Sequence, residues 1–133
     1  CETWSLTQSL ENRLRSFEMW IYRRIARVSW KEKKSNKQVL QMLGIKTTEL
    51  ITTVRKRILR YFGHIQRHET LQKLLLEGKL EGKRGRGRKR TNWVDNIVTY
   101  SGKIPINRCA RLAEDRERWR AMTSHVVYDM GHR

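Results

Sequence analysis

The chain has 133 residues, with 30 Lys and Arg against 13 Asp and Glu, a formal net charge of +17 and a sequence pI near 10.8. Charge of one sign at that density is drawn to polyanions, nucleic acid first and anionic membrane second, and it carries no information about fold. Apolar residues make up 38% of the chain, mean hydropathy is −0.78, and no apolar run approaches the ~18 residues of a membrane span, so one modest core is expected and a transmembrane segment is excluded.

No charged-then-apolar secretory signal opens the sequence, and a first residue of Cys1 rather than Met reads as a piece of something longer. Two cysteines, Cys1 and Cys109, are too few for a disulfide scaffold and point to a reducing compartment.

Helical periodicity dominates, and only Pro105 interrupts it. Between Thr7 and Ser29, the residues Leu10, Leu14, Phe17, Ile21, Ile25 and Val28 recur at steps of three and four, which places them on one face of a long helix. Ser35 with Gln38 forms a capping-box pair that announces a shorter helix, and Gly44 stops it after Val39, Leu40 and Leu43. A third helix from about Thr48 to Arg67 carries Ile51, Val54, Ile58, Phe62 and Ile65 on one side, with Lys56, Arg57, Arg60, His64 and Arg67 opposite. An apolar piece from Leu71 to Leu76 leads into Glu77-Gly78-Lys79-Leu80-Glu81-Gly82, which fits a turn or a short hairpin near residues 75–84.

The run Lys83-Arg84-Gly85-Arg86-Gly87-Arg88-Lys89-Arg90 reads as a solvated loop, because its glycines and like charges oppose a helix. Thr91 is positioned to cap a helix with Trp93, Val94, Ile97 and Val98 that ends at Ser101-Gly102. After Pro105 one last helix is expected to run to about Val127, with Leu112, Trp119, Met122 and Val126 as its apolar edge and Arg111/Asp115 and Glu114/Arg118 as i,i+4 pairs. The expectation is therefore an all-α bundle of about five helices with a basic Gly-Arg loop, divided into a helical region 1–70, a basic linker 71–90 and a C-terminal helical region 91–133.

The positive charge is unevenly spread. Residues 71–90 hold 8 basic and 2 acidic side chains, residues 35–70 hold 7 and 2, and residues 91–133 hold 7 and 5, so the strongest field lies at the loop and the helix before it. Arg86-Gly87-Arg88 offers alternate guanidinium groups on a backbone with nothing between them, suited to a narrow minor groove or a phosphate track. It resembles the Arg-Gly-Arg-Pro core of an AT-hook, with Lys89 in place of the stiffening proline. From Arg55 to His68 no acid appears, and ordinary solvated helix faces mix signs. The candidate nucleic-acid contacts are accordingly Lys56, Arg57, Arg60 and Arg67 on the helix, and Arg84, Arg86, Arg88, Lys89 and Arg90 in the loop.

Trp4, Trp20, Trp93 and Trp119 fall on or beside apolar stripes, which favours core packing. Trp30, flanked by Lys31, Lys33 and Lys34, is the exception, since a ring in a basic surround can stack on a base. His64 and His68 have i,i+4 spacing, but no Cys-x2-Cys pair anchors a finger, so no metal site is expected. Three aspartates, Asp95, Asp115 and Asp129, with no strand-turn setting give no two-metal centre, and no Gly-Lys-Ser/Thr phosphate loop occurs. Neither catalytic residues nor a cofactor are expected in this segment.

Several strings in order carry a family likeness: Glu2-Thr3-Trp4-Ser5-Leu6, Ser16 to Ile25, Lys56-Arg57-Ile58-Leu59-Arg60-Tyr61-Phe62-Gly63-His64-Ile65, Leu76 through Arg90, and Asp115-Arg116-Glu117-Arg118-Trp119-Arg120. Together they resemble the region after the polymerase core in the endonuclease and reverse-transcriptase polyprotein of LINE-type, non-LTR retrotransposons. The resemblance implies a thumb and C-terminal extension that hold template RNA and primer or target DNA during target-primed reverse transcription. It also implies an upstream RNA-directed DNA polymerase domain of the same polyprotein, Mg²⁺ at that domain, and nuclear residence with a cytoplasmic ribonucleoprotein stage. Family members often read Gly-Arg-Gly-Arg-Pro-Arg at the loop, where this chain has Lys89. The alternative is a stand-alone basic DNA- or RNA-binding protein with an AT-hook-like loop, contacting no membrane.

Overall fold

The computed structural model describes residues 1–46, 48–76 and 91–131, with side chains described through residue 124. Every regular element among them is helical: α1 (Gln8–Ile25), a 3₁₀ turn (Trp30–Glu32), α2 (Asn36–Met42), α3 (Leu50–Gln66), α4 (Leu71–Leu76), α5 (Trp93–Tyr100), α6 (Ile106–Glu114) and α7 (Arg116–Gly131). The expected all-α class holds, with seven α-helices described where about five were expected. None of the described helices is long and apolar enough to cross a membrane.

Two differences account for the count. Residues 71–76 close into the short helix α4, so the proposed hairpin cannot begin at residue 75, and the rest of that expectation lies outside the described residues. The last helix is broken at Asp115, whose backbone is extended (φ −88°, ψ 112°). Its carboxylate Oδ1 accepts from the backbone N–H groups of Glu117 at 2.9 Å and Arg118 at 3.1 Å, so Asp115 starts a new helix instead of continuing the old one. The expected i,i+4 pair of Glu114 with Arg118 is replaced by an ion pair from Arg118 to Asp115 at 3.2 Å.

Elsewhere the local signals act as read. The Ser35 N–H donates to Gln38 Oε1 at 2.8 Å and the Gln38 N–H to Ser35 Oγ at 3.3 Å, and Gly44 ends that turn with a left-handed φ of 67°. For α5 the cap sits one residue later than Thr91: the Asn92 N–H donates to Asp95 Oδ2 at 2.8 Å.

Helix α3 is the spine of the core. Its Val54, Ile58, Leu59 and Phe62 meet Ile97 and Tyr100 of α5, Cys109 and Ala113 of α6, Trp119 of α7, and Leu6. Burial pushes the Cys109 thiol pKa up, which keeps it a neutral packing group.

Helix α1 joins this core differently from its apolar periodicity. Its buried residues are Glu11, Glu18 and Met19, whereas Leu10, Phe17, Trp20 and Ile25 are exposed. Glu18 is held because α3 has no side-chain cap of its own. Its Oε1 accepts from the N–H groups of Glu49 at 2.7 Å and Leu50 at 3.1 Å, and from the Tyr22 hydroxyl at 2.7 Å. A carboxylate from α1 thus satisfies two orphan donors and meets the positive end of the α3 dipole. Glu18→Gln is expected to lose about 1–2 kcal/mol of unfolding free energy in urea titration, since the neutral amide gives up the charge-assisted part of these bonds. Unchanged stability would show that the cap is structurally idle.

Candidate nucleic-acid interface

The second half of α3 and the first half of α7 lie against each other because one position has no side chain. A Cβ built on Gly63 would stand 2.5 Å from Cδ1 and Nε1 of Trp119. The indole therefore sits directly on the α3 backbone, where its N–H donates to the Leu59 carbonyl at 2.9 Å, and its ring centre is 5.4 Å from that of Phe62. Trp119 forms a floor, and the walls rise to either side of it.

One wall is α3 and its end, with Lys56, Arg60, His64, Arg67 and His68. The other is α7, with Arg116, Arg120, Thr123 and Ser124. They enclose a groove of about 530 Å³ whose lining holds five Lys or Arg side chains and no carboxylate. An acid-free basic concavity focuses positive potential outward, which favours a polyanion backbone, while the Thr123 and Ser124 hydroxyls both donate to the Arg120 carbonyl, at 3.1 and 2.9 Å.

The expected contacts separate clearly on this framework. Lys56, Arg60 and Arg67 are brought together in the groove. Arg67 is also structural: Nη1 donates to the Ala113 carbonyl at 2.8 Å and ties α3 to the end of α6. Arg57 is exposed but is not part of the groove lining. Its charge reaches Glu2, whose carboxyl pKa is lowered mainly by a backbone hydrogen bond and then by the amino terminus, with Arg57 a lesser cause. Arg84, Arg86, Arg88, Lys89 and Arg90 lie outside the described residues.

Arg116 and Arg120 belong to the groove and were missed, because the balanced charge of residues 91–133 disguised them. Their i,i+4 spacing around Trp119 was the available signal: Asp115 is engaged by Arg118, and the two remaining arginines share the face that Trp119 turns toward α3.

His64 and His68 adjoin each other within the groove, with ring centres 4.4 Å apart and planes tilted by 48°. Among the described residues, no group of three or more His, Cys, Asp or Glu is placed to hold a metal ion.

The tryptophans divide in two. Trp119 is buried and Trp93 is half-buried, its indole N–H donating to the Glu2 carbonyl at 2.8 Å, as core packing requires. Trp4, ahead of α1, and Trp20 are exposed, against expectation; Trp20 is so because α1 docks through Glu11, Glu18 and Met19 and leaves its Phe17–Trp20 side outward. Compared with protein-family models, with curated proteins and with solved structures, the chain finds no match in any of the three.

Proposed function

We propose that this chain is the post-polymerase segment of a LINE-type reverse transcriptase and grips the sugar-phosphate backbone of template RNA and primer DNA in the α3–α7 groove. The observation that carries the grip is the acid-free lining of Lys56, Arg60, Arg67, Arg116 and Arg120 over a Trp119 floor. The retrotransposon context rests on the ordered strings from Glu2 to Arg120, whose resemblance implies that the parent's Mg²⁺-dependent chemistry lies upstream and the substrate-holding charge here. The Gly-Arg run adds a second backbone anchor with Arg84, Arg86, Arg88, Lys89 and Arg90, and Arg57 extends the basic surface beyond the groove.

Phosphate neutralisation releases counterions, so log affinity falls with log salt by about 0.9 per contacted phosphate on duplex DNA. Replacing Lys56, Arg60, Arg116 and Arg120 with Gln is expected to flatten that slope by about 3 to 4 and to weaken binding to a labelled RNA–DNA hybrid irrespective of sequence. Fluorescence anisotropy across a salt series measures both, and a slope equal to wild type would sink the proposal. A marked preference for AT-rich duplex in the same assay would favour the stand-alone reading, in which Arg86-Gly87-Arg88 works as a minor-groove hook.

A further inference from the structure

The exposed aromatic residues at the end of α1 and in the turn after it are not loosely placed. Trp30 is 72% exposed, yet it is supported from below. The Arg23 guanidinium lies over its ring at 4.9 Å from the centre. Arg23 is itself fixed, because Nη2 donates to the Lys34 carbonyl at 2.8 Å and to Asn36 Oδ1 at 3.0 Å. The turn is locked too: the Ser29 N–H donates to Glu32 Oε1 at 2.8 Å, and Lys33 closes the turn in the left-handed region at φ 49°.

The next residue along α1 repeats the arrangement. Arg24 lies over the Trp20 ring at 5.0 Å, and Trp20 stacks on Phe17 with ring centres 6.1 Å apart and planes 17° apart. Adjacent arginines therefore carry two tryptophans, each with a planar cation against it and with much of its surface in water.

An apolar face could equally receive a protein, and the charge decides between the two. Over residues 13–33 the exposed charged side chains are Arg13, Arg24, Arg27, Lys31 and Lys33 with one acid, Glu32, whose carboxylate is already taken by Lys34 at 2.7 Å and the Ser29 N–H. Fixed aromatic rings within a positive surround match the exposed bases and phosphates of an unpaired strand. A protein partner would have to bury those cations against acids of its own.

We infer that Trp30, Trp20 and Phe17 form a second surface, separate from the groove, that stacks unpaired bases of single-stranded nucleic acid. Duplex gives these rings nothing to stack on, since its bases are already stacked on one another, so the surface discriminates strand state. This inference does not rest on the groove reading, because it uses α1 and the 3₁₀ turn alone.

The test compares oligo(dT) with a blunt two-strand duplex of the same length, each labelled, in anisotropy titrations over a salt series. Trp30→Ala is expected to weaken oligo(dT) binding roughly tenfold and the Phe17→Ala/Trp20→Ala pair by a comparable factor, while duplex affinity stays within about twofold. Stacking releases no counterions, so the salt slope on oligo(dT) should stay that of the wild type. Trp30→Phe should restore most of the loss, and far-ultraviolet circular dichroism checks that helix content is unchanged. Equal losses on both substrates, a flattened slope, or unaltered oligo(dT) binding would each overturn the inference. So would a change confined to sedimentation behaviour, which would assign the face to protein contact. The quadruple groove variant serves as the control: it should flatten the slope on duplex whatever the ring variants do.

Discussion

Glu11→Ala is expected to destabilise the fold by about 3–5 kcal/mol, the cost of breaking a buried ion pair from one side. The carboxylate is 3% exposed and joins three helices. It accepts from Arg55 Nη2 at 2.5 Å and from the Tyr100 hydroxyl at 2.6 Å, and the Arg55 guanidinium lies 5.0 Å from the centre of the Tyr100 ring. Removing it leaves the Arg55 charge and the Tyr100 hydroxyl in the interior without this acceptor. Against the roughly 5–15 kcal/mol of a typical domain, such a loss is about a fifth or more of the total. Urea unfolding should show a much lower midpoint for the single variant. Replacing all three polar ends together, as Glu11→Leu/Arg55→Met/Tyr100→Phe, should recover most of it, because an apolar trio needs no desolvation of charge. A single variant as stable as wild type would refute the buried linkage.

The same cluster sets a pH limit. Burial first, and then the hydrogen bond and charge of Glu11, raise the Tyr100 pKa well above the ordinary value near 10. Tyr22 is pushed up to about 12, by burial first and then by Glu18. A raised tyrosine pKa means that the folded state holds the proton more tightly than the unfolded chain. The stabilisation is therefore complete below about pH 10 and disappears as pH climbs through the folded values. Ultraviolet titration of tyrosinate should find two late-ionising groups, with Glu11→Gln bringing one of them partly back toward 10.

Gly63→Ala is the second large effect, and its sign opposes helix propensity. Alanine in a helix interior is favoured over glycine by about 1 kcal/mol. Here the added methyl would lie 2.5 Å from two atoms of the Trp119 ring, well inside ordinary contact. The ring cannot simply yield, because its N–H is bonded to the Leu59 carbonyl and its face meets Phe62. Overpacking of this kind costs about 1–3 kcal/mol, and displacing the indole also forfeits a buried hydrogen bond worth about 1 kcal/mol. The net expectation is a loss of about 2 kcal/mol, a Tm lower by several degrees, and weaker nucleic-acid binding, because the α7 wall moves away from α3. A Tm at or above wild type would show that propensity wins and that the indole is free to shift.

Much of this fold was legible from spacing and caps. The apolar period of α3, the Ser35/Gln38 box and the Ser101-Gly102 stop are local signals, and local chemistry decides them. The docking of α1 was not legible, because Glu11 and Glu18 are recruited by groups distant in sequence: Arg55, Tyr100 and the amino end of α3. A carboxylate on an otherwise polar face gives no sign of a partner tens of residues away, and the apolar stripe beside it is the stronger pattern. The break at Asp115 was hidden for the related reason that a capping aspartate among arginines also suits an ion pair, and it makes both. Half of the groove followed from the acid-free run on α3. The other half needed the contact of Trp119 with Gly63, which only the packed helices reveal.

That contact also sets an order of events during synthesis. The α3 wall leaves the ribosome well before Arg116 and Arg120, so the nascent chain carries its basic helix before the groove can form. The concavity arrives with Trp119, when α7 closes over Gly63. A message interrupted before that codon yields a product that keeps the charge and lacks the concavity. Translation through the tryptophan is thus the step at which the groove, and not merely its charge, comes to exist.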